Sequence, residues 1–175
     1  MENILSYRNE DDKCYGATGM AIGIVVFDGE DMLSAISLDA LPHEVVELNE
    51  EYFFAGNPGI SAKSAWNRIL GNYNLAVAML IANVMCRRYV LDKNSISAEL
   101  KRTIKNHIID EGTSECALEV DEINRIFDKN YTYLHRVFSH SGVQSIAHNF
   151  ADVLKRQRRL TRSEIIDNLR ALSML

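Results

Sequence analysis

The chain has 175 residues, of which 47% are hydrophobic and 25% are charged, and its formal net charge is −5. This composition is that of a soluble globular protein, and the length suits one domain with a substantial core better than two. Only two prolines and nine glycines are present, which argues against a long disordered linker. We therefore predict a single domain over residues 1–175, in which residues 1–15 form a flexible arm that is ordered only if something covers it.

The N-terminal residues and the cysteines indicate the cellular compartment. Residues 1–13 (MENILSYRNEDDK) are acidic and lack the apolar core of a secretion signal. Cys14, Cys86 and Cys116 show no CxxC spacing, so we expect free thiols in a reducing compartment, with Cys86 as a small core residue. The apolar run Leu75–Cys86 is shorter than the roughly 20 residues that span a bilayer. We expect a cytoplasmic protein with no membrane segment, no metal and no cofactor.

The charged residues are distributed unevenly along the chain. Residues 1–60 hold 2 basic and 12 acidic groups, residues 61–130 hold 10 and 9, and residues 131–175 hold 7 and 3. The three segments therefore carry −10, +1 and +4. An acidic N-terminal third and a basic C-terminal third can attract each other, within one subunit or between subunits, or they can present a basic face to an anionic partner.

The first predicted element is a β-hairpin. Met20–Phe27 (MAIGIVVF) is rich in β-branched residues, residues 28–31 (DGED) are typical of a turn, and Met32–Leu38 (MLSAISL) is the return strand. Residues 52–55 (YFFA) are a candidate third strand. Between them, residues 42–51 fit either a short acidic helix or an extended crossing segment.

The longest predicted helix covers Ala62–Leu91 and is expected to be the core of the domain. Its apolar residues recur at alternating spacings of three and four, which places them on one face of a helix. These residues are Trp66, Leu70, Tyr73, Val77, Leu80 and Val84. Gly71 and residues 72–74 (NYN) can kink or split the helix, and residues 92–94 (DKN) end it. Asn83 is the one polar residue of its apolar run, so it is expected to bond a neighbouring backbone group or to set the register of a symmetric helix pair.

The remaining chain has helical periodicity throughout. Ser97 is expected to cap a helix to about Asp110, residues 112–114 to form a loop, and Asp121 to cap the next helix. A break at residues 141–142 leads to a helix that ends in residues 155–159, and Thr161 with Glu164 matches a capping box. The predicted fold is a mainly helical α+β domain. It has an N-terminal β-hairpin, or three strands if residues 52–55 pair with it, packed on a bundle of about five helices around a long central helix.

Residues 56–64 (GNPGISAKS) resemble a P-loop, whose backbone N–H groups and lysine hold phosphates. The spacing from Gly56 to Lys63 is one residue longer than in that family, and Ala62 replaces the glycine before the lysine. A turn with Ser61 as helix cap is the competing interpretation. A weaker anion site remains as a hypothesis at a helix N-terminus. Its residues would be Gly59, Ser61, Lys63 and Ser64.

Other motifs give no catalytic site. Residues 16–19 (GATG) with Gly23 lack the strand-to-helix context of a dinucleotide fingerprint. His43, His107, His135, His140 and His148 have no metal-ligand spacing. No GxSxG motif occurs, so no nucleophile is proposed.

A basic cluster lies between the last two predicted helices and consists of Lys155, Arg156, Arg158, Arg159 and Arg162. Cations at such a junction can hold phosphates of DNA or RNA. Residues 160–172 (LTRSEIIDNLRAL) resemble the second helix of a ribbon–helix–helix repressor, but the basic strand and first helix of that family are missing upstream. The alternatives are a solvated helix end, or pairing with an acidic protein surface such as the N-terminal third of this chain.

Three functions follow as hypotheses. The favoured one is a non-enzymatic interaction or assembly protein that self-associates, as a homodimer, through protein–protein contacts. The second is a nucleic-acid-binding regulator that uses the basic cluster. The third is a phosphate-ligand-binding protein or small enzyme that uses residues 56–64.

Overall fold

The computed structural model describes residues 6–49 and 62–175, with side chains from residue 70 onward in the second range. Within these ranges there are six helices and a small three-stranded antiparallel sheet, which confirms the predicted mainly helical α+β class. The helices are α1 Glu10–Val26, α2 Ala62–Met85, α3 Ala98–Glu115, α4 Val120–Ser139, α5 Ser141–Gln157 and α6 Arg162–Leu169. The strands are β1 Leu33–Ser37, β2 Val46–Leu48 and β3 Arg159–Thr161.

The prediction of a strand over Met20–Phe27 is wrong, because these residues belong to helix α1 and its C-terminal cap. An apolar run buried on all sides has no periodicity that separates strand from helix. Close packing at the glycines explains why the segment is a helix: a Cβ at Gly19 would lie 2.3 Å from the Ala82 carbonyl oxygen. Only a helix without a side chain at this position can pack so closely against α2. The predicted arm is ordered from Glu10, where α1 begins with Asn9 as its N-cap, and Asp12, Cys14 and Tyr15 of this segment are buried.

A hairpin is present, but it uses other residues than predicted. The predicted return strand is correct, as β1, and its partner is β2, which lies in the segment left undecided between helix and extended chain. Strand β3 pairs with the opposite edge of β1, so the order is β2-β1-β3. Ile36 of β1 faces Val46 on one side and Leu160 on the other. The candidate third strand over residues 52–55 lies outside the described residues.

Helix α2 is continuous through Gly71 and residues 72–74, so the helix is not split there. It passes into a π-helical turn, Cys86–Leu91, and ends at Asp92 as predicted. In the described part of the chain, one helical stretch, Leu70–Leu91, is long and apolar enough to cross a membrane. Of its most apolar window, 67% is buried inside the protein, as in the core helix of a soluble protein. It packs on α1 and α4, at the centre of the apolar core.

The later helices match their predicted caps in most places. Ser97 caps α3 by accepting a hydrogen bond from Leu100 N, and Thr161 with Glu164 forms the capping box of α6. Two details differ. The predicted loop at residues 112–114 is the last turn of α3, and Glu119 rather than Asp121 caps α4 through a box with Glu122. Contact with α2 accounts for the first difference: the Tyr73 hydroxyl donates to the Ile108 carbonyl oxygen and packs so close to Gly112 that an added Cβ would lie 2.5 Å from it.

Candidate functional site

Four members of the basic cluster form ion pairs with the acidic N-terminal third of the same chain. Arg159 Nη1 lies 2.8 Å from Glu47, and Arg162 Nη2 lies 2.8 Å from Asp31. The remaining pairs are Lys155 with Asp11, Arg158 with Glu10 and Arg158 with Asp39. The complementary charges of the two ends of the chain therefore meet within one subunit.

The fifth member, Arg156, donates from Nε to the Asp152 carbonyl oxygen at 3.4 Å. For the whole cluster to bind a phosphate backbone, the ion pairs of the other four cations would have to be broken or shared. Nucleic-acid binding through this cluster stays a prediction, and the geometry gives the cluster a different role. The ion pairs hold the C-terminal segment against the N-terminal segment. The pairing of β3 with β1 joins the same two segments.

Arg158 is the centre of this arrangement. It donates from Nη2 to Asp39 Oδ1 at 2.5 Å and from Nε to the same oxygen at 3.2 Å, while Nη1 faces Glu10. These hydrogen bonds lower the pKa of the Asp39 carboxyl and raise the pKa of Arg158. The backbone of Arg158 accepts a hydrogen bond from Leu38 N at 2.8 Å. Arg158, at the end of α5, therefore contacts both the start of α1 and the loop after β1.

Arg158 also forms one wall of a surface cleft of about 730 Å³. The cleft lies between the start of α1 and the β1–β2 loop. Its lining consists of Ser6, Tyr7, Asn9, Glu10, Lys13, Leu38, Asp39, Pro42, His43 and Arg158. We call it the α1 cleft.

The α1 cleft contains both cations and anions. Arg158 and Lys13 are positive, whereas Glu10 and Asp39 are negative. Lys13 Nζ donates to the Ala40 carbonyl oxygen, which fixes the β1–β2 loop over the cleft. In that loop, Leu41 is 59% exposed and directly precedes the lining residue Pro42. The cleft therefore contains paired charges and has an exposed apolar residue next to it in the sequence.

A buried polar network supports the wall of the α1 cleft that faces the β1–β2 loop. Arg87 of the π-helical turn donates to both oxygens of Asp12, at 2.8 and 2.7 Å, and to the Ser6 carbonyl oxygen at 3.0 Å. Burial raises the pKa of Asp12, but the hydrogen bonds from Arg87 and Arg8 outweigh it and leave the pKa well below its ordinary value. This network anchors residues 6–9, of which Ser6, Tyr7 and Asn9 line the cleft.

Asn83 belongs to the same network, and it does so differently from either prediction. Its Nδ2 donates to the Tyr7 hydroxyl at 2.9 Å, and its Oδ1 accepts from Arg87 Nη1 at 3.3 Å. The guanidinium of Arg87 also lies 5.0 Å from the centre of the Tyr7 ring. Asn83 thus bonds side chains of this subunit instead of a neighbouring backbone or a symmetric helix.

The remaining polar groups of the described ranges include histidines and cysteines. No group of three or more His, Cys, Asp or Glu residues there is arranged to hold a metal ion. His148 Nδ1 shares a hydrogen bond of 2.7 Å with the Tyr15 hydroxyl, which links α5 to α1. The three cysteines are free, with Cys14 and Cys86 buried.

The predicted anion site lies largely outside the described residues. Gly59 and Ser61 precede the described start of α2, while Lys63 and Ser64 are in its first turn without described side chains. The P-loop resemblance therefore stays an untested hypothesis. The α1 cleft, by contrast, was not predicted, except that Arg158 belongs to the basic cluster.

The fold and the cleft define a mainly helical α+β protein with a charged surface cleft. No protein-family model matches the chain, and no curated protein or solved structure matches it either. The functional interpretation therefore depends on the geometry of the described side chains.

Proposed function

We propose that this protein is a non-enzymatic cytoplasmic interaction protein that works through protein–protein contacts, first of all with a second copy of itself. The observation that carries the proposal is the mixed charge of the α1 cleft. In a two-fold symmetric dimer the same surface patch meets itself, so it must be self-complementary. Lys13 and Arg158 supply cations beside the anions Glu10 and Asp39. Arg158 pairs with both anions within the subunit, so a second copy would share or exchange these pairs across the interface.

The apolar residues around the cleft support the same proposal. Protein interfaces combine a charged rim with a few apolar anchors that become fully buried. Leu41 is 59% exposed and directly precedes Pro42, which lines the cleft, so it is available as an anchor next to the cleft. A cleft that binds a small molecule is usually lined by more apolar and aromatic side chains.

The acidic character of the N-terminal third bears on the nucleic-acid alternative. Its carboxylates form ion pairs with four of the five clustered cations. The chain also carries a net charge of −5. Carboxylates at those positions repel phosphate groups. Protein partners, including a second copy, are therefore better supported than DNA or RNA.

The test is a comparison of two substitutions at exposed apolar residues. L41D places a charge beside the cleft, whereas V120D places one at Val120, which is 47% exposed at the start of α4. Light scattering after size-exclusion chromatography should show that wild type and V120D associate. L41D should weaken association by about tenfold or more. Equal association of all three proteins, with unchanged circular dichroism, would contradict the proposal.

A further inference from the structure

Arg158 occupies a backbone conformation that favours glycine. It is the C-terminal cap of α5, with φ 66° and ψ −30° in the left-handed region. Glycine is the usual residue at such a cap, because a Cβ is strained there. The reason for an arginine at this position therefore lies in its side chain and not in its backbone.

Stability alone gives a weak reason for that side chain. The side chain of Arg158 is 40% exposed and that of Asp39 is 63% exposed. Ion pairs between exposed groups contribute little to folding, because water and salt screen them. A glycine would cap α5 with less strain and would lose only these screened pairs. The side chain is better explained by a contact made at the surface.

We infer that Arg158 and Asp39 determine the specificity of self-association, each pairing with its counterpart in the second copy. This inference rests on the self-association proposed above. Both groups lie on the α1 cleft and touch each other at 2.5 Å within one subunit. A two-fold axis beside them would bring Arg158 of one copy to Asp39 of the other, and the reverse, so that two equal ion pairs form. Within one subunit Nη1 of Arg158 faces Glu10, while Nε and Nη2 bond Asp39. In the dimer Arg158 would keep Glu10 and exchange its own Asp39 for the Asp39 of the second copy.

A charge-swap experiment tests this pairing. R158D alone and D39R alone each put like charges opposite one another in both symmetric contacts, so each should weaken self-association by about tenfold or more. An equimolar mixture of the two should form a heterodimer, because the remaining Asp and Arg groups can then pair across the interface. The intrachain pair is lost in both variants, so recovery on mixing comes only from contacts between copies.

The neighbouring pair Arg159–Glu47 is the matched control. It is also exposed, with 2.8 Å between Nη1 and Oε1, but neither residue lines the α1 cleft. R159E and E47R should associate as wild type does, alone or mixed. R158G is the second variant, and its melting temperature is compared with that of wild type at a concentration where both are monomeric. There it should melt as wild type does, and at higher concentration it should still fail to associate, whereas a purely structural role would lower the melting temperature of the monomer.

The outcomes separate the two proposals. A wild-type chain that stays monomeric would overturn self-association and this inference together. A wild-type dimer, with no heterodimer from R158D and D39R, would overturn this inference alone and leave the proposed function standing. Recovery of association in the mixture, absent from the R159E and E47R control, is the expected result.

Discussion

Arg87 and Asp12 form a bidentate ion pair inside the protein, with Nε–Oδ1 at 2.8 Å and Nη2–Oδ2 at 2.7 Å. Asp12 is fully buried and Arg87 is nearly so. The pair joins α1 to the π-helical turn after α2, and Arg87 also anchors residues 6–9 by donating to the Ser6 carbonyl group. It thus links the helical core to one wall of the α1 cleft.

Removing one partner of this pair should be strongly destabilising. D12N leaves the buried guanidinium of Arg87 without its counter-charge, which should lower the free energy of unfolding by about 3–5 kcal/mol. The control is D167N, which removes an exposed pair with Arg170 and should change the free energy by no more than about 0.5 kcal/mol. Urea unfolding of the three proteins measures both values. Equal stability of D12N and D167N would contradict the assigned role of Asp12.

The same pair predicts a dependence of stability on pH. The pKa of Asp12 is lower in the folded protein than its ordinary value of 3.8, so the unfolded chain binds a proton first as the pH falls. The contribution of Asp12 is therefore complete well above pH 3.8 and is lost progressively below it. Urea unfolding from about pH 7 to about pH 3 should show that the difference in free energy of unfolding between wild type and D12N becomes smaller below about pH 4. A difference that stays constant would mean that Asp12 does not titrate as the geometry requires.

Close packing of α1 on α2 should make Gly19 intolerant of a side chain. A Cβ there would meet the Ala82 carbonyl oxygen at 2.3 Å, so G19A should destabilise the fold by about 1–3 kcal/mol or more. Gly71 is the control, because a Cβ added at this position of α2 would have no heavy atom of another residue within 4 Å beyond its own helix backbone and chain neighbours. G71A should stabilise by about 0.5–1 kcal/mol, since alanine is the better helix former. Thermal unfolding of both variants checks the opposite signs.

The three cysteines should differ in reactivity. Burial raises the pKa of Cys14 to about 11, so its thiolate is scarce at neutral pH. Burial also raises the pKa of Cys86, and only Cys116 is partly exposed. A thiol reagent should therefore modify Cys116 first in the native protein and reach the other two only after unfolding. If C116S reacts as fast as wild type, this assignment is wrong.

The helices of the second half were predicted well because each carries its own signals. Ser97, and Thr161 with Glu164, place caps next to apolar residues of helical spacing, and the structure shows those caps. Met20–Phe27 was assigned to a strand because β-branched residues dominate it. The signal that identifies a helix there is the spacing of Gly16, Gly19 and Gly23, which is three and four residues. Its meaning depends on α2, a partner distant in the sequence.

The α1 cleft could not be predicted from local patterns. Its walls come from the start of α1, the loop after β1 and the end of α5, which meet only in the folded chain. The distribution of charge along the chain did predict part of this arrangement. The acidic N-terminal third and the basic C-terminal third predicted mutual attraction, and the pairs of Arg158 and Arg159 with Asp39 and Glu47 show which carboxylates are used.

Sedimentation equilibrium of the purified wild-type chain over a wide concentration range tests the central claim most directly. Self-association through the α1 cleft predicts a mass that rises with concentration from 19.8 kDa towards twice that value. The rise should be smaller in high salt, because part of the interface is ionic. A mass of 19.8 kDa at every concentration would contradict the account.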